Sequence, residues 1–269
     1  MGAERFTALL GPKTAQQASF KVYARATYYP HFTRVYIPNN PYNKLQPGME
    51  AKALHKKLTR VRPENESVEE DTERSLRRTK KTITDYILCN EFDLFATFTF
   101  KSKRQDIDGC KAKMSNWLKN QRKRKGKFKY LIVPEFHKDG SSLHFHALMK
   151  NYAGVVKEAI NPKTGEKILD GGLQVYSIPS YRSGFTSVKK IGDSTGDHAR
   201  VGGYIRKYIT KGMPLFFGKN RYWASSGLRL PLTEDNPPKW YLERSPSRIY
   251  GSEHGVILDF SNDPSAESV

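Results

Sequence analysis

Three side chains with metal-binding chemistry lie close together in what reads as two strands joined by a tight turn. Asp139 and Gly140 are typical of a two-residue type I′ turn, because both central residues of that turn need a positive φ. This turn sets Glu135 opposite His144, and directly opposed residues of an antiparallel pair project to the same side. His146 lies on that side too, because side chains alternate along a strand. The sequence therefore predicts a facial metal site made of Glu135, His144 and His146, with open coordination positions.

His137 is an alternative third ligand, since it lies on the same side of the predicted hairpin as Glu135 and next to the turn. We prefer Glu135 because it is directly opposite His144. A structural interpretation also stands, since a His-x-His strand more often carries two ordinary histidines than two metal ligands. The opposite side of the hairpin is the predicted core face, and it consists of Phe136, Leu143, Phe145 and Ala147.

A second group of reactive side chains lies on a predicted helix over 198–211. Tyr204, Tyr208 and Lys211 are spaced at i, i+4 and i+7, so they share one face of that helix. A tyrosine hydroxyl is a nucleophile that can form a covalent ester with phosphorus. Lys211 or Lys207 would steady the negative charge that builds on oxygen. The alternative is coincidence, because 15 tyrosines make a Tyr-x-x-x-Tyr pair on a helix unremarkable.

Other elements must hold these two groups in place. A β-rich run over 94–100 puts Thr97 and Thr99 on one side and its apolar residues on the other. A helix follows, capped by Asp106 or Asp108 and ending near 124. Residues 151–180 read as an excursion from the sheet. The remaining predicted elements are a helix over 67–88, a strand over 184–191 and a last strand over 220–226.

The charge of the chain points to an acidic polymer as partner. Lys and Arg number 46 against 27 Asp and Glu, a formal net charge of +19, which favours nucleic acid over a membrane surface. Contacts between basic side chains and phosphates release counterions, so binding is expected to weaken steeply with salt. For the basic cluster 122–125, a solvated helix end is the alternative to DNA binding. The predicted DNA-binding residues are Lys101, Lys103 and Arg104, and then Arg122, Lys123, Arg124 and Lys125.

Composition divides the chain into three parts. Residues 1–85 form a basic region with a linker and a helix, 86–230 a central domain that carries both reactive groups, and 231–269 an acidic tail expected to be loosely structured. In the first part, tyrosines alternate with basic residues, which suits either stacking on nucleic acid or packing on the main domain. Because no apolar run approaches a membrane span and no secretion signal begins the chain, we expect a cytoplasmic protein.

Three features, in this order, resemble the HUH endonuclease superfamily, the rolling-circle replication initiators of small single-stranded DNA phages and plasmids. The run Phe95-Ala-Thr-Phe-Thr-Phe100 is similar to the first motif of that family. His144-Phe-His146 matches its His-hydrophobic-His motif. Tyr204-Ile-Arg-Lys-Tyr-Ile-Thr-Lys211 is similar to the two-tyrosine motif of phage gene-A-type initiators. The resemblance covers about 92–226, which is the body of the chain.

The resemblance implies an α+β fold whose central five-stranded antiparallel sheet has a ferredoxin-like (RRM-like) arrangement with flanking helices. It implies a metal-dependent, site-specific endonuclease and strand transferase that nicks single-stranded or hairpin origin DNA and leaves tyrosine joined to the 5′ phosphate. Under this reading 86–230 is the HUH nuclease domain. Mg²⁺ or Mn²⁺ would be held by Glu135, His144 and His146. The implied catalytic residues are Tyr204 and Tyr208 as nucleophiles, with Lys211 and Lys207.

The expected partners follow from what the sequence lacks. It contains no Gly-x-x-x-x-Gly-Lys-Ser/Thr phosphate loop, so unwinding is expected to come from a separate helicase. A polymerase would extend the free 3′ hydroxyl. Both would act in the cytoplasm of a bacterial host cell. Two alternatives stay open at this stage. One is an HUH transposase or conjugative relaxase-like enzyme, and the other is a non-enzymatic basic nucleic-acid-binding protein.

Overall fold

The chain folds into two compact units, one made of its two ends and one of its middle. The first unit comprises 1–67 and 231–269, and the second comprises 68–230. This is a computed structural model. It describes residues 24–39, 68–192, 205, 221–252 and 254–263.

The middle unit is built on an antiparallel sheet of seven strands in the order β11-β4-β5-β3-β10-β9-β6. Four strands of five to eight residues form its centre, and the other three are two residues long. The α+β class and the antiparallel pairing are as predicted, but this sheet has seven strands instead of five. The strands are β3 (Leu94–Phe98), β4 (Lys129–Phe136), β5 (Leu143–Lys150), β6 (Lys157–Glu158), β9 (Tyr176–Ser177), β10 (Thr186–Lys190) and β11 (Trp223–Ala224).

The predicted excursion leaves the sheet after β5 and returns to it at β10. It contains β6 and β9, which extend the sheet edge, and a separate two-stranded hairpin. That hairpin pairs β7 (Leu169–Asp170) with β8 (Leu173–Gln174). Leu169 and Leu173 are both more than half exposed there. The excursion thus extends the edge of the sheet and does not contribute to the hairpin of β4 and β5.

Two helices cover the two faces of this sheet. The first, α1 (Val68–Cys89), packs Leu76, Ile83 and Ile87 against Phe95, Leu131 and Leu148. The second, α2 (Ile107–Lys125), packs Cys110, Met114, Trp117 and Leu118 against the opposite face. Both helices lie within two residues of their predicted bounds. Of the two predicted caps, Asp106 is the one observed, and it accepts a hydrogen bond from Gly109 N at 2.9 Å.

The alternation of side chains along the strands explains why both faces are apolar where helices cover them. Ala96, Phe98, Phe145 and Ala147 are fully buried on the α2 face, as the predicted core face requires. Ile205 is helical and fully buried in the cluster on the α1 face. An aliphatic contact with the sheet was expected from the helix predicted around this residue, and Ile205 confirms it at the one position described.

The unit formed by the chain ends is a five-stranded antiparallel sheet in the order β12-β1-β2-β14-β13. Its core includes Ala26, Val35, Leu258 and Phe260, and a 3-10 helix, Lys239–Leu242, adds Tyr241. The tail was expected to be loosely structured, and that expectation is wrong for residues 232–261. The strands are β1 (Arg25–Tyr28), β2 (Phe32–Pro38), β12 (Leu232–Asp235), β13 (Arg248–Ser252) and β14 (Gly255–Ser261).

The tyrosines of this unit decide one question that the sequence left open. Tyr29 is 5% exposed and stacks on Phe32 with 4.7 Å between ring centroids. Tyr28 donates a hydrogen bond to Glu234, and burial together with that carboxylate raises the pKa of Tyr28 to about 12. Packing within the protein, rather than stacking on nucleic acid, is therefore the role of these two rings. Tyr23 and Tyr42 lie outside the described residues.

No helix in the described ranges is long and apolar enough to cross a membrane. The two cysteines, Cys89 and Cys110, are buried free thiols. Burial raises the pKa of the Cys89 thiol to about 11, so this thiol stays protonated and unreactive at neutral pH.

Gly184 fixes the start of β10 against β3, because any side chain there would collide with backbone. A Cβ at this position would lie 1.9 Å from the Thr99 carbonyl oxygen and 2.8 Å from the Phe100 Cα. We expect Gly184→Ala to lower the free energy of unfolding by about 2–3 kcal/mol, measured by urea denaturation. Gly251→Ala is the control, since its Cβ would meet no atom within 4 Å. Equal stability of the two variants would contradict this packing.

Candidate functional site

The hairpin of β4 and β5 has the predicted register. Glu135 pairs with His144, and Phe136 pairs with Leu143. The turn, however, is not the predicted type I′. Of the two central residues, Asp139 and Gly140, only Gly140 has a positive φ, whereas a type I′ turn needs both. Gly140 N donates to His137 O at 2.8 Å, and a four-residue loop, 138–141, closes the hairpin. The register survives because a four-residue loop with the same centre removes one residue from each strand, which leaves every remaining pair unchanged.

Asp139 organises this loop through its side chain. Its Oδ1 accepts hydrogen bonds from the backbone N–H groups of Ser141 at 2.9 Å and Ser142 at 2.7 Å. The Ser142 side chain, together with these two backbone bonds, holds the pKa of the Asp139 carboxyl well below its usual range. His137 N donates to Ser142 O at 2.7 Å, which extends the ladder by one pair. The loop therefore fixes how the strand ends carrying Glu135 and His144 enter the sheet.

His146 is held at both ring nitrogens. Its Nε2 lies 2.7 Å from Glu135 Oε2, and its Nδ1 lies 3.1 Å from Thr97 Oγ1. The ring also stacks on Phe95, with centroids 5.9 Å apart and an interplanar angle of 5°. His146 is only 4% exposed, whereas the Glu135 side chain is 33% exposed. The pair thus has one member fixed in the protein and one that reaches solvent.

His144 lies in the next cross-strand row on the same face and contacts a different partner. Its ring meets the His137 ring edge to face, with 4.9 Å between centroids. Burial lowers the pKa of His144 below 6.5, and the neighbouring charges of His137, His146 and Arg104 lower it further, against the opposing effect of Glu135. The neutral ring, which is the form that binds a metal ion, is therefore favoured.

The three predicted ligands share one face of the sheet, and the side chains of two of them are in direct contact. Among the residues that the structure describes, no group of three or more His, Cys, Asp or Glu side chains is arranged to hold a metal ion. His137, the alternative ligand, lies against His144 and not against the Glu135–His146 pair. The arrangement as it stands is a carboxylate–imidazole pair with two further imidazoles beside it.

The predicted DNA-binding residues separate into two places. The segment with Lys101, Lys103 and Arg104 lies beside the histidines. Lys101 N donates to Ser183 O, and Leu143 N, next to His144, donates to Arg104 O, both at 3.0 Å. The cluster 122–125 forms the last turn of α2. This helix starts at the segment 101–106 and is roughly 28 Å long, so its last turn lies far from the histidines.

The structure adds one residue that the sequence did not indicate. Thr186, Phe98, Phe145 and Pro134 form one cross-strand row. One position further along each strand, towards the turn between β4 and β5, the four residues form the adjacent row, which lies on the opposite face. That row contains Phe185, Thr99, His144 and Glu135. Phe185 is 52% exposed, and only the pairing of β10 with β3, which joins residues far apart in sequence, brings it to this site.

The predicted nucleophiles and their lysines, Tyr204, Tyr208, Lys207 and Lys211, lie outside the described residues. Ile205 is described, and it is buried with Phe95 and Val133. Phe95 stacks on His146, and Val133 pairs with His146 across β4 and β5. Ile205, which stands between Tyr204 and Tyr208 in the sequence, therefore contacts the sheet face on which the histidines lie.

We expect His144 to titrate below pH 6.5 in the metal-free protein, because burial and neighbouring positive charges disfavour its protonated ring. His137→Gln should raise the midpoint, since it removes one of those charges. NMR titration of the imidazole ring resonances measures both. A His144 midpoint at or above 6.5 would contradict this environment. Because the unfolded chain takes up this proton first, stability supplied by neutral His144 is lost as the pH falls below 6.5.

Comparison with known proteins gives one match. Residues 93–213 match the family model of the replication-associated protein ORF2/G2P. The matched stretch contains β3, the hairpin and β10, as well as the segment with the two tyrosines. No curated protein and no solved structure matches the chain. Over 93–213 the chain is thus similar to the replication-associated protein ORF2/G2P family, and this similarity is consistent with a rolling-circle replication initiator.

Proposed function

We propose that this chain is a metal-dependent, site-specific endonuclease and strand transferase that acts on single-stranded DNA to start rolling-circle replication. The observation that carries the proposal is the Glu135–His146 pair, held by Thr97 next to the apolar part of the sheet face. It lies within the stretch that matches a replication-associated family. Glu135 at this pair is partly exposed, and a basic segment lies at the same end of the sheet.

Glu135, His144 and His146 are the proposed ligands of a divalent cation, Mg²⁺ or Mn²⁺. Two ligands about 2.1 Å from such an ion and at right angles lie about 3.0 Å apart. The separation of 2.7 Å between His146 Nε2 and Glu135 Oε2 comes close to this value. The proposal requires the half-buried His144 ring to leave its contact with His137 by rotation of its side chain. When bound, the ion would polarise the scissile phosphate.

Tyr204 and Tyr208 are the proposed nucleophiles. The tyrosine hydroxyl gives up its proton as its oxygen bonds to phosphorus, the bond from phosphorus to the 3′ oxygen breaks, and the 3′ oxygen takes up a proton and leaves as a hydroxyl. One tyrosine would hold the 5′ end of the DNA while the other makes the next cut. Lys207 and Lys211 would stabilise the negative charge on the phosphoryl oxygens. Burial of Ile205 against the histidine face supports this assignment.

Lys101, Lys103 and Arg104 are the proposed phosphate contacts near the reacting group. All three are exposed, and Arg104 is close enough to His144 to lower its pKa. The cluster 122–125 would contact DNA farther along the strand, because it lies at the other end of α2. Unwinding and synthesis are assigned to a separate helicase and polymerase, which would use the displaced strand and the free 3′ hydroxyl.

The proposed reaction leaves a covalent trace that a simple assay detects. Purified protein, a labelled single strand that contains the origin, and Mn²⁺ or Mg²⁺ should yield a protein–DNA adduct on a denaturing gel. We expect Tyr204→Phe combined with Tyr208→Phe to abolish the adduct and to leave salt-sensitive DNA binding intact, because only the nucleophilic oxygens are removed. No adduct with any origin-containing strand would leave a basic nucleic-acid-binding protein as the better description.

A paired variant tests the metal independently of the tyrosines. His144→Ala combined with His146→Ala should abolish the adduct while the tyrosines remain. His31→Ala combined with His254→Ala, in the unit formed by the chain ends, is the matched control and should retain it. Unchanged nicking by the first pair would overturn the metal site even if the tyrosines were correctly assigned.

Thr97 is expected to set the orientation of His146 for metal binding. A metal on Nε2 requires the proton on Nδ1, and that N–H would then donate to Thr97 Oγ1, 3.1 Å away. Thr97→Val should weaken Mn²⁺ binding by about 10–100-fold, the usual effect of losing a hydrogen bond to a ligating histidine. Thr97→Ser keeps the hydroxyl and should bind normally. Calorimetric titration with Mn²⁺ measures this, and equal affinity of the Val variant and the unaltered protein would refute it.

A further inference from the structure

We propose that Phe185 is a stacking platform for a DNA base next to the phosphate that reacts. The inference rests on the proposed function, because it assigns a subsite of the same site. The large apolar side chain of Phe185 is 52% exposed and stands on a face that otherwise carries polar groups at this end. Every nucleic-acid base has an apolar face, and single-strand binding sites use aromatic rings to stack it.

The position of Phe185 relative to the histidines follows from the strand ladder. Phe185 lies in the same cross-strand row as Thr99, His144 and Glu135, and on the same face. Neighbouring strands are about 4.8 Å apart, so the backbones of Phe185 and His144 are about 10 Å apart with one strand between them. A base next to a phosphate that lies over the proposed cation site of Glu135 and His144 would fall within reach of this ring.

The Phe185 backbone is bonded to Thr99 through both its N–H and its carbonyl group. Thr99 N donates to Phe185 O at 2.9 Å, and Phe185 N donates to Thr99 Oγ1 at 3.3 Å. Gly184 lies so close to the Thr99 carbonyl that it admits no side chain. A ring on a rigid strand loses little conformational entropy when a base stacks on it, and this favours binding.

Charge complementarity selects nucleic acid as the occupant. Lys101 is bonded through its backbone to Ser183, two residues from Phe185, and Lys103 and Arg104 follow it towards His144. Exposed cations for the phosphates thus lie along the path from the ring to the histidines. The exposed leucines of the excursion, Leu169 and Leu173, lie in a different setting, because lysines near them form ion pairs, Lys167 with Glu158 and Lys189 with Asp170.

Photocrosslinking tests the subsite without requiring cleavage. The full chain is mixed with a thymine homopolymer in which 5-iodouracil replaces some bases, in EDTA so that no metal-dependent step occurs. On irradiation we expect the crosslink in the tryptic peptide 183–189, whose one aromatic residue is Phe185. If the strand binds and this peptide carries no crosslink, the proposal is wrong.

Affinity measurements provide the second readout. Phe185→Ala should weaken binding of the thymine strand about 5- to 150-fold, the range found for losing one stacked base, and Phe185→Trp should restore it. Leu173→Ala is the matched exposed apolar control and should change nothing. Duplex DNA, whose bases are already stacked, should bind the Phe185→Ala variant normally, whereas Lys101→Gln should weaken both. Equal loss for single strand and duplex in Phe185→Ala would overturn the stacking role.

The two proposals fail in different ways. A crosslink at Phe185 without any covalent adduct in Mn²⁺ would keep the base subsite and reject the nicking enzyme. An adduct that forms normally, with no crosslink in 183–189 and unchanged affinity of Phe185→Ala, would keep the enzyme and reject the subsite.

Discussion

The register between β4 and β5 is the constraint on which the rest of the site depends. A slip of one residue in a strand moves every side chain to the other face. Here it would send His144 and His146 into the core and bring the fully buried Leu143, Phe145 and Ala147 to the site face. Because those apolar residues pack against α2 on one side only, the core holds the register, and the register holds the candidate ligands together.

The face that carries the candidate ligands is divided along its length. At one end, α1 and Ile205 bury Phe95, Leu131 and Leu148. At the other end lie Thr97, His144, His146 and Glu135, followed by the exposed ring of Phe185. His146 sits at the boundary, stacked on Phe95 and 4% exposed. Hydrogen bonds are stronger away from water. At this boundary the bonds to Thr97 and Glu135 therefore fix the imidazole of His146, while the Glu135 carboxylate stays accessible to solvent.

Local sequence patterns predicted much of this arrangement. The pairing of Glu135 with His144 was correct although the turn type was wrong, because two-residue and four-residue loops with one centre give the same register. The helices that became α1 and α2 were also predicted, the first from the order of its acidic and basic residues and the second from its cap and apolar face. The two sides of β3 were predicted from alternation. The tail was misjudged, because β12 and β14 pair with β1 and β2 from the far end of the chain, and such pairings leave no local pattern in the sequence.

The sequence by itself determined which residues could do chemistry and which neighbours share a face, because the period of two in a strand is a local property. The tertiary structure alone decided which strands are adjacent. The bond from Thr97 to His146, the row that joins Phe185 to His144, and the distance of the cluster 122–125 from the site all depend on contacts between distant residues. No periodicity encodes such pairings, since they are selected by the packing of the whole core and by the closure of long loops.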